Sequence, residues 1–151
     1  MHGDVLVAGK QVYVVGADGT VRWQAVMQAA NPDLHSSAVD GELVFVTHGA
    51  RVTALRLATG DTVWQSPVSP LESWLVPPTI VRQDVVYAKH AADTLFVFRR
   101  SDGTILRTFL DPDTALDKRV FGAGTVPVGD RFYLPTVFRL AAFDTRGPCS
   151  G

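Results

Sequence analysis

Four tight turns that contain glycine recur along this chain at nearly constant spacing. The turns are Asp18-Gly19, Thr59-Gly60, Asp102-Gly103 and Thr145-Arg146-Gly147. Their glycines lie 41, 43 and 44 residues apart, and an alternating apolar run precedes each turn. A period of about 40–45 residues that is filled with short strands is typical of the blades of a β-propeller.

Further β-rich runs lie between these turns and extend each repeat towards a four-stranded unit. If the strands of a unit are named A to D, the predicted order along the chain is BCD, ABCD, ABCD and ABC. The runs are rich in Val, Phe, Tyr and Thr and lie between clusters of Gly, Pro and Asp, which favours strands over helices. We therefore expect an all-β partial propeller of about four blades, built as a single domain over residues 1–151.

The second repeat carries a resemblance to a known family. Its segments Val-Asp-Gly-Glu-Leu-Val-Phe-Val (39–46), Val-Thr-Ala-Leu (52–55) and Ala-Thr-Gly-Asp-Thr-Val-Trp (58–64) resemble the PQQ-like repeat. That repeat builds quinoprotein alcohol dehydrogenases and the outer-membrane-assembly propeller lipoproteins of the BamB kind. The third repeat has Arg107 where the resemblance implies a tryptophan, and the fourth lacks its closing strand.

The resemblance implies one enzyme, a dehydrogenase that depends on pyrroloquinoline quinone. Such enzymes hold the quinone between a tryptophan and a disulfide of adjacent cysteines, bind calcium through Glu and Asn, and use an Asp as base. This chain has a single cysteine, Cys149, and a single asparagine, Asn31, with no Glu near it in sequence. The residues for that cofactor are missing, so we expect no cofactor, no metal and a protein that is not a quinoprotein enzyme.

Composition argues against further classes of function. The 151 residues carry a net charge of −1, whereas a protein that grips nucleic acid through phosphates usually has a basic excess. No apolar run approaches the ~20 residues that span a bilayer. No signal peptide is visible, which predicts a cytoplasmic protein, or an exported or periplasmic one if the chain is a fragment of a longer chain.

Strand order assigns the loops to two faces of the predicted propeller. The A–B and C–D turns are short and share one face, which we call the turn face. The B–C turns share the opposite face with the long connectors at 27–35, 69–77 and 111–124, and we call this the connector face. Long loops on a rigid scaffold often carry binding residues. The candidate ligand-binding residues at the connector face are His35, His48, Trp74, Lys89 and His90.

Three of these candidates have a second interpretation. His48 and His90 occupy equivalent B–C turns, so they suit a pair of metal ligands, although turn histidines are usually solvated. Trp74 suits stacking on a sugar or quinone ring, or it fills the gap between two blades. The 41-residue spacing of Trp23 and Trp64 predicts packing between neighbouring blades, with Gly19, Gly60 and Gly103 as structural residues of the repeat.

The function that these patterns favour is a non-enzymatic binding or scaffold module that presents its connector face to a protein, a peptide or a small ligand. The alternative is a redox or hydrolytic enzyme with a site at the ring axis shared between two chains. A half ring has apolar sheet faces at both ends. We therefore expect a homodimer that closes a ring of eight blades, with a closed four-bladed monomer or a piece of a longer propeller as the alternatives.

Overall fold

A computed structural model describes residues 5–8, 11–27, 34–49, 51–67, 75–90, 94–110, 126–129, 131–135 and 140–144. In these ranges the chain forms fourteen β-strands and no α-helix. The strands are β1 (Val5–Ala8), β2 (Gln11–Val15), β3 (Val21–Val26), β4 (Leu34–Asp40), β5 (Leu43–His48), β6 (Arg51–Arg56), β7 (Thr62–Gln65), β8 (Leu75–Arg82), β9 (Val85–His90), β10 (Thr94–Arg99), β11 (Ile105–Leu110), β12 (Val126–Val128), β13 (Arg131–Pro135) and β14 (Leu140–Asp144).

The strands form four separate sheets, each built from strands that are consecutive in the chain. The sheets are β1-β2-β3, β4-β5-β6-β7, β8-β9-β10-β11 and β12-β13-β14, and we call them blades 1 to 4. Every pairing between neighbouring strands is antiparallel. The predicted order of BCD, ABCD, ABCD and ABC is confirmed, and with it the all-β partial propeller.

The outermost strand pair of blades 1, 2 and 3 contains the same irregularity. In each blade the register shifts by one residue just after the C–D turn, which is a β-bulge. The residues that resume pairing after the bulge are Trp23 opposite Val14, Trp64 opposite Ala54, and Arg107 opposite Val97. These three residues are therefore structurally equivalent.

The hydrophobic core lies between the blades. Blade 2 contributes Phe45, Val52, Ala54 and Trp64, and blade 3 contributes Val86, Ala88, Phe96 and Phe98, to the cluster between them. A second cluster lies between blades 1 and 2. It joins Val12 of blade 1, and Met27 directly after that blade, to Val44, Val46 and Leu55 of blade 2. Because blade 2 is covered on both sides, β5 has consecutive buried residues rather than an alternating pattern.

Candidate functional site

The interface between blades 2 and 3 is closed by an indole ring that docks on a turn of the next blade. Trp64 Nε1 donates a hydrogen bond of 2.8 Å to the carbonyl oxygen of Arg100. The ring lies over Gly103, where a Cβ atom would come within 2.4 Å of Trp64 Cε3. Gly103 also has a φ of 73°, a conformation that suits glycine. Only glycine fits under the docked ring without a backbone shift.

The interface between blades 1 and 2 repeats this arrangement. Trp23 Nε1 donates a 2.8 Å hydrogen bond to the carbonyl oxygen of Leu57. A Cβ atom on Gly60 would lie 2.6 Å from Trp23 Cε3. The equivalent glycine of blade 1 is Gly19, and no described atom lies within 4 Å of the position its Cβ would take. Two of the three described C–D turns therefore carry a docked indole, while the turn of blade 1 does not.

Arg100 adds a polar link between blades 2 and 3. Its Nε donates to Oδ2 of Asp40 at 2.7 Å, and its Nη2 donates to the Asp40 carbonyl oxygen at 3.2 Å. Its guanidinium carbon lies 5.9 Å from the centre of the Phe45 ring. Both charged side chains are partly exposed, so the ion pair contributes about 1 kcal/mol or less. The contact joins an A–B turn to the C–D turn of the next blade, which agrees with the predicted sharing of one face.

His48 is one of the predicted ligand-binding residues, and the structure places it in the core. It is the last residue of β5 rather than a turn residue, and it is 0% exposed. The interpretation of His48 as a solvated turn histidine is wrong, because β5 extends to it and blade 1 covers this side of the sheet. Its Nε2 lies 2.7 Å from Thr53 Oγ1, while its Nδ1 has no hydrogen-bond partner among the described residues.

Burial also sets the charge state of His48. Loss of hydration lowers the pKa of the imidazole below 6.5, and the nearby positive charge of Arg51 lowers it further. The ring is therefore held neutral, with Thr53 as its hydrogen-bonding partner. A neutral buried imidazole contributes to packing and to one polar contact, and a ligand would reach it only by entering between the blades.

Lys89 and His48 do not form one site. Lys89 is 1% exposed and lies two residues after Tyr87 in β9. Both residues are therefore on the side of blade 3 that carries Leu95 and Val97. His48 lies two residues after Val46 in β5, on the side of blade 2 that faces blade 1. The side chains thus lie on opposite sides of the sheets that contain them, with the core between blades 2 and 3 separating them.

The remaining predicted residues lie at the margins of the described structure. His35 belongs to β4, at a register shift, and His90 ends β9 opposite Leu75. The side chains of these two histidines, and Trp74 as a whole, lie outside the described residues. The ligand-binding role of His35, His48, Trp74, Lys89 and His90 stays a prediction.

Two features are absent from the described ranges of the chain. None of their segments forms a helix with the length and apolar character needed to cross a bilayer. Within the same ranges, no three His, Cys, Asp or Glu side chains come together as a set that could hold a metal ion.

Comparison with known proteins connects this geometry to a family. The family model described as outer membrane protein assembly factor BamB matches residues 8–147. The chain belongs to this family. The resemblance of the repeats to the PQQ-like repeat is thereby confirmed. Among the curated proteins, no significant match to the chain was found.

Solved structures share the fold at low sequence identity. BamB from Moraxella catarrhalis has a TM-score of 0.71 at 17% identity, over 95% of this chain and 46% of that one. The computationally designed Ika8 protein has a TM-score of 0.73 at 12% identity, over 93% and 42%. The designed Ika4 protein has a TM-score of 0.75 at 13% identity, over 95% and 86%. The chain thus spans less than half the length of the first two structures and most of the third.

Proposed function

We propose that this chain is a non-enzymatic scaffold module that holds another protein during an assembly process. The observation that carries the proposal is the match of residues 8–147 to a family described as an outer membrane protein assembly factor. The docked indoles of Trp23 and Trp64 support it, because they fix neighbouring blades to each other and so provide a stiff platform.

In this proposal the partner binds the connector face. His48 and Lys89 are buried, so they support this face from beneath rather than contact the partner. Contact then falls to connector residues, with Trp74 as the first candidate because aromatic side chains dominate the energetics of protein interfaces.

Site-specific photocrosslinking tests this assignment. We would place p-benzoylphenylalanine at Trp74 on the connector face and, as a matched control, at Asp61, an exposed residue beside the C–D turn of blade 2. We expect ultraviolet light to produce a covalent adduct with one defined protein from position 74 and none from position 61. Equal adducts from both positions, or none from position 74, would contradict the proposal.

We also propose that a second copy of the chain covers the outward face of blade 1. This face includes Val21 and Val26, which are 55% and 64% exposed. Val15 also lies on this face and is half-buried, whereas its equivalents Leu55 of blade 2 and Phe98 of blade 3 are 0% and 2% exposed. A neighbouring sheet therefore covers the face in blades 2 and 3, and a second copy offers such a sheet for blade 1.

Light scattering coupled to size-exclusion chromatography tests the second copy. We expect the mass of a dimer for the wild-type chain and of a monomer for Val26→Glu. Val63→Glu is the matched control, since Val63 is 41% exposed in β7 of blade 2 and should leave the dimer intact. A monomeric wild type, or equal effects of the two substitutions, would exclude this dimer.

A further inference from the structure

The side of blade 3 that faces blade 4 differs from the equivalent side of blade 2 at one residue. The β-bulge places Arg107 where Trp23 and Trp64 stand in blades 1 and 2. Trp64 is 7% exposed and packs 5.8 Å from Phe45, centre to centre. Arg107 is exposed instead. The indole that closes the other interfaces is therefore missing here.

A groove occupies the space that the indole fills elsewhere. A cavity of about 130 Å³ is lined by Val85, Tyr87, Val97, Leu106, Arg107 and Phe109. It shares Val85 and Leu106 with a second cavity of about 360 Å³, which extends to Asp84 and to the C–D turn at Arg99, Arg100 and Ser101. Together the two cavities run from the turn face along the sheet of blade 3. A cavity of about 150 Å³ takes up a benzene ring. The smaller cavity is close to that size and adjoins the larger one, so the two together have room for an aromatic side chain.

The smaller cavity combines this apolar floor with positive charge, whereas the larger cavity is lined by both Asp84 and arginines. Burial raises the pKa of the Tyr87 hydroxyl, and the positive charges of Arg82 and Arg107 partly oppose that rise, so both cations lie near the tyrosine. Arg82 donates from Nη1 to the carbonyl oxygen of Gly129 in blade 4. Arg99 pairs with Asp102, and Arg100 pairs with Asp40. Arg107 forms no ion pair with another described residue, which leaves its guanidinium available for an anion.

We propose that this groove binds an extended peptide segment of a partner protein in which an aromatic side chain is flanked by acidic residues. The aromatic ring enters the cavity beside Tyr87 and Phe109, where it takes the place of the missing tryptophan. A flanking carboxylate accepts the two parallel N–H donors of the Arg107 guanidinium, a geometry that lysine cannot reproduce. The groove opens at the turn face, so this site is separate from the connector face and goes beyond the function proposed above.

Fluorescence anisotropy with labelled nonapeptides tests the proposal. The probe has a central tryptophan with two acidic residues on each side. One control peptide replaces the tryptophan by alanine, and the other replaces the acidic residues by lysine. We expect the wild-type chain to bind the probe at least roughly tenfold more tightly than either control, because one control lacks the ring that enters the cavity and the other lacks the carboxylates that pair with Arg107.

Variants at position 107 distinguish the effect of the Arg107 charge on peptide binding from the effect of the cavity volume. Arg107→Met keeps a long stem and the cavity but removes the charge, and we expect it to bind the acidic and the lysine-flanked peptides equally. Arg107→Trp fills the cavity, and we expect it to lose binding altogether. Arg56→Ala is the matched control, because Arg56 is an exposed arginine of blade 2 outside the groove, and it should bind like the wild type. Thermal melts verify the fold of each variant, and Arg107→Met decides the test if Arg107→Trp does not fold.

Several outcomes would overturn the proposal. One is wild-type affinity of Arg107→Met for the probe, and another is equal binding of the three peptides by the wild type. If indole-3-acetate binds as tightly as the probe, the occupant is a small aromatic acid and not a peptide. If no peptide binds, the groove has no such role, while the crosslinking result from position 74 still decides the scaffold function independently.

Discussion

The interface between blades 2 and 3 and the interface between blades 3 and 4 are built from the same repeat but close differently. At the first, Trp64 docks on Gly103 and Arg100 reaches Asp40. At the second, Arg107 leaves a groove, and the polar link from Arg82 to Gly129 connects the two A–B turns. One substitution at an equivalent position thus replaces a docked indole by an exposed arginine beside a groove, within an unchanged strand order.

The largest effect should come from removing the docked ring. We expect Trp64→Ala to lower the free energy of unfolding by about 3–5 kcal/mol, because it removes a buried indole and leaves its hydrogen-bond acceptor unpaired. Arg107→Ala should change it by less than about 0.5 kcal/mol, since the side chain is exposed. Urea denaturation followed by circular dichroism measures both values. Similar losses for the two variants would mean that the two interfaces do not differ as described.

The glycine under the ring offers a matched pair. Gly103→Ala should cost about 3 kcal/mol, because its Cβ would clash with Trp64 and its φ of 73° is strained for alanine. Gly19→Ala should cost about 1–2 kcal/mol, since Gly19 has a φ of 80° but no described neighbour within 4 Å. The difference between the two, from the same denaturation experiment, isolates the steric part. Because a second copy docked on blade 1 could also contact Gly19, the measurement should be made on the monomeric Val26→Glu background.

An indole at position 107 should stabilise the interface between blades 3 and 4 as Trp64 stabilises the interface between blades 2 and 3. We expect Arg107→Trp to raise the free energy of unfolding by about 1–2 kcal/mol, because an indole in the groove buries apolar surface from Val97 and Phe109. Arg56→Trp, at the exposed last residue of β6 in blade 2, serves as the control and should give no gain. A loss of stability in Arg107→Trp would show that the space at the third interface does not match the indole.

The sequence predicts the architecture well because the fold is periodic. Turn glycines and alternating runs depend on neighbours within a few residues, and both are visible without a structure. The absence of a tryptophan at position 107 is equally visible, since the spacing from Gly103 equals the spacing from Gly60 to Trp64. The consequence, an open groove, needs the bulge register and the packing of two sheets.

The sequence does not predict the burial of the polar residues. The sequence pattern places His48 and Lys89 at B–C turns of the connector face, yet both strands continue through these residues and both side chains are buried. The sequence does not predict the ion pair of Arg100 and Asp40 either, for a different reason. It joins side chains 60 residues apart from two blades, and blade 2 has Leu57 where blade 3 has Arg100, so no periodic signal marks it.

The smallest expected effect is a pH dependence of stability that arises at the interface between blades 1 and 2. This interface contains the docked Trp23 and the buried His48. The pKa of His48 is lowered in the folded state, so the unfolded chain binds more protons as the pH falls below 6.5. We expect the free energy of unfolding to decrease from pH 7 to pH 5, by no more than about 1.4 kcal/mol per pH unit for one proton. Asp102 does not contribute in this range, because its pKa of about 2 lies below it and the ordinary value of 3.8 does also.

His48→Gln should flatten this pH dependence, because glutamine can still hydrogen-bond to Thr53 but takes up no proton. The measurement is the midpoint of urea denaturation at pH 7, 6 and 5 for both chains, and only the difference between them is assigned to His48. If the two chains lose stability in parallel, the imidazole is protonated as easily in the folded state as in the unfolded one. The interface between blades 1 and 2 would then admit water, and it would resemble the groove beside Arg107 rather than the closed interface at Trp64.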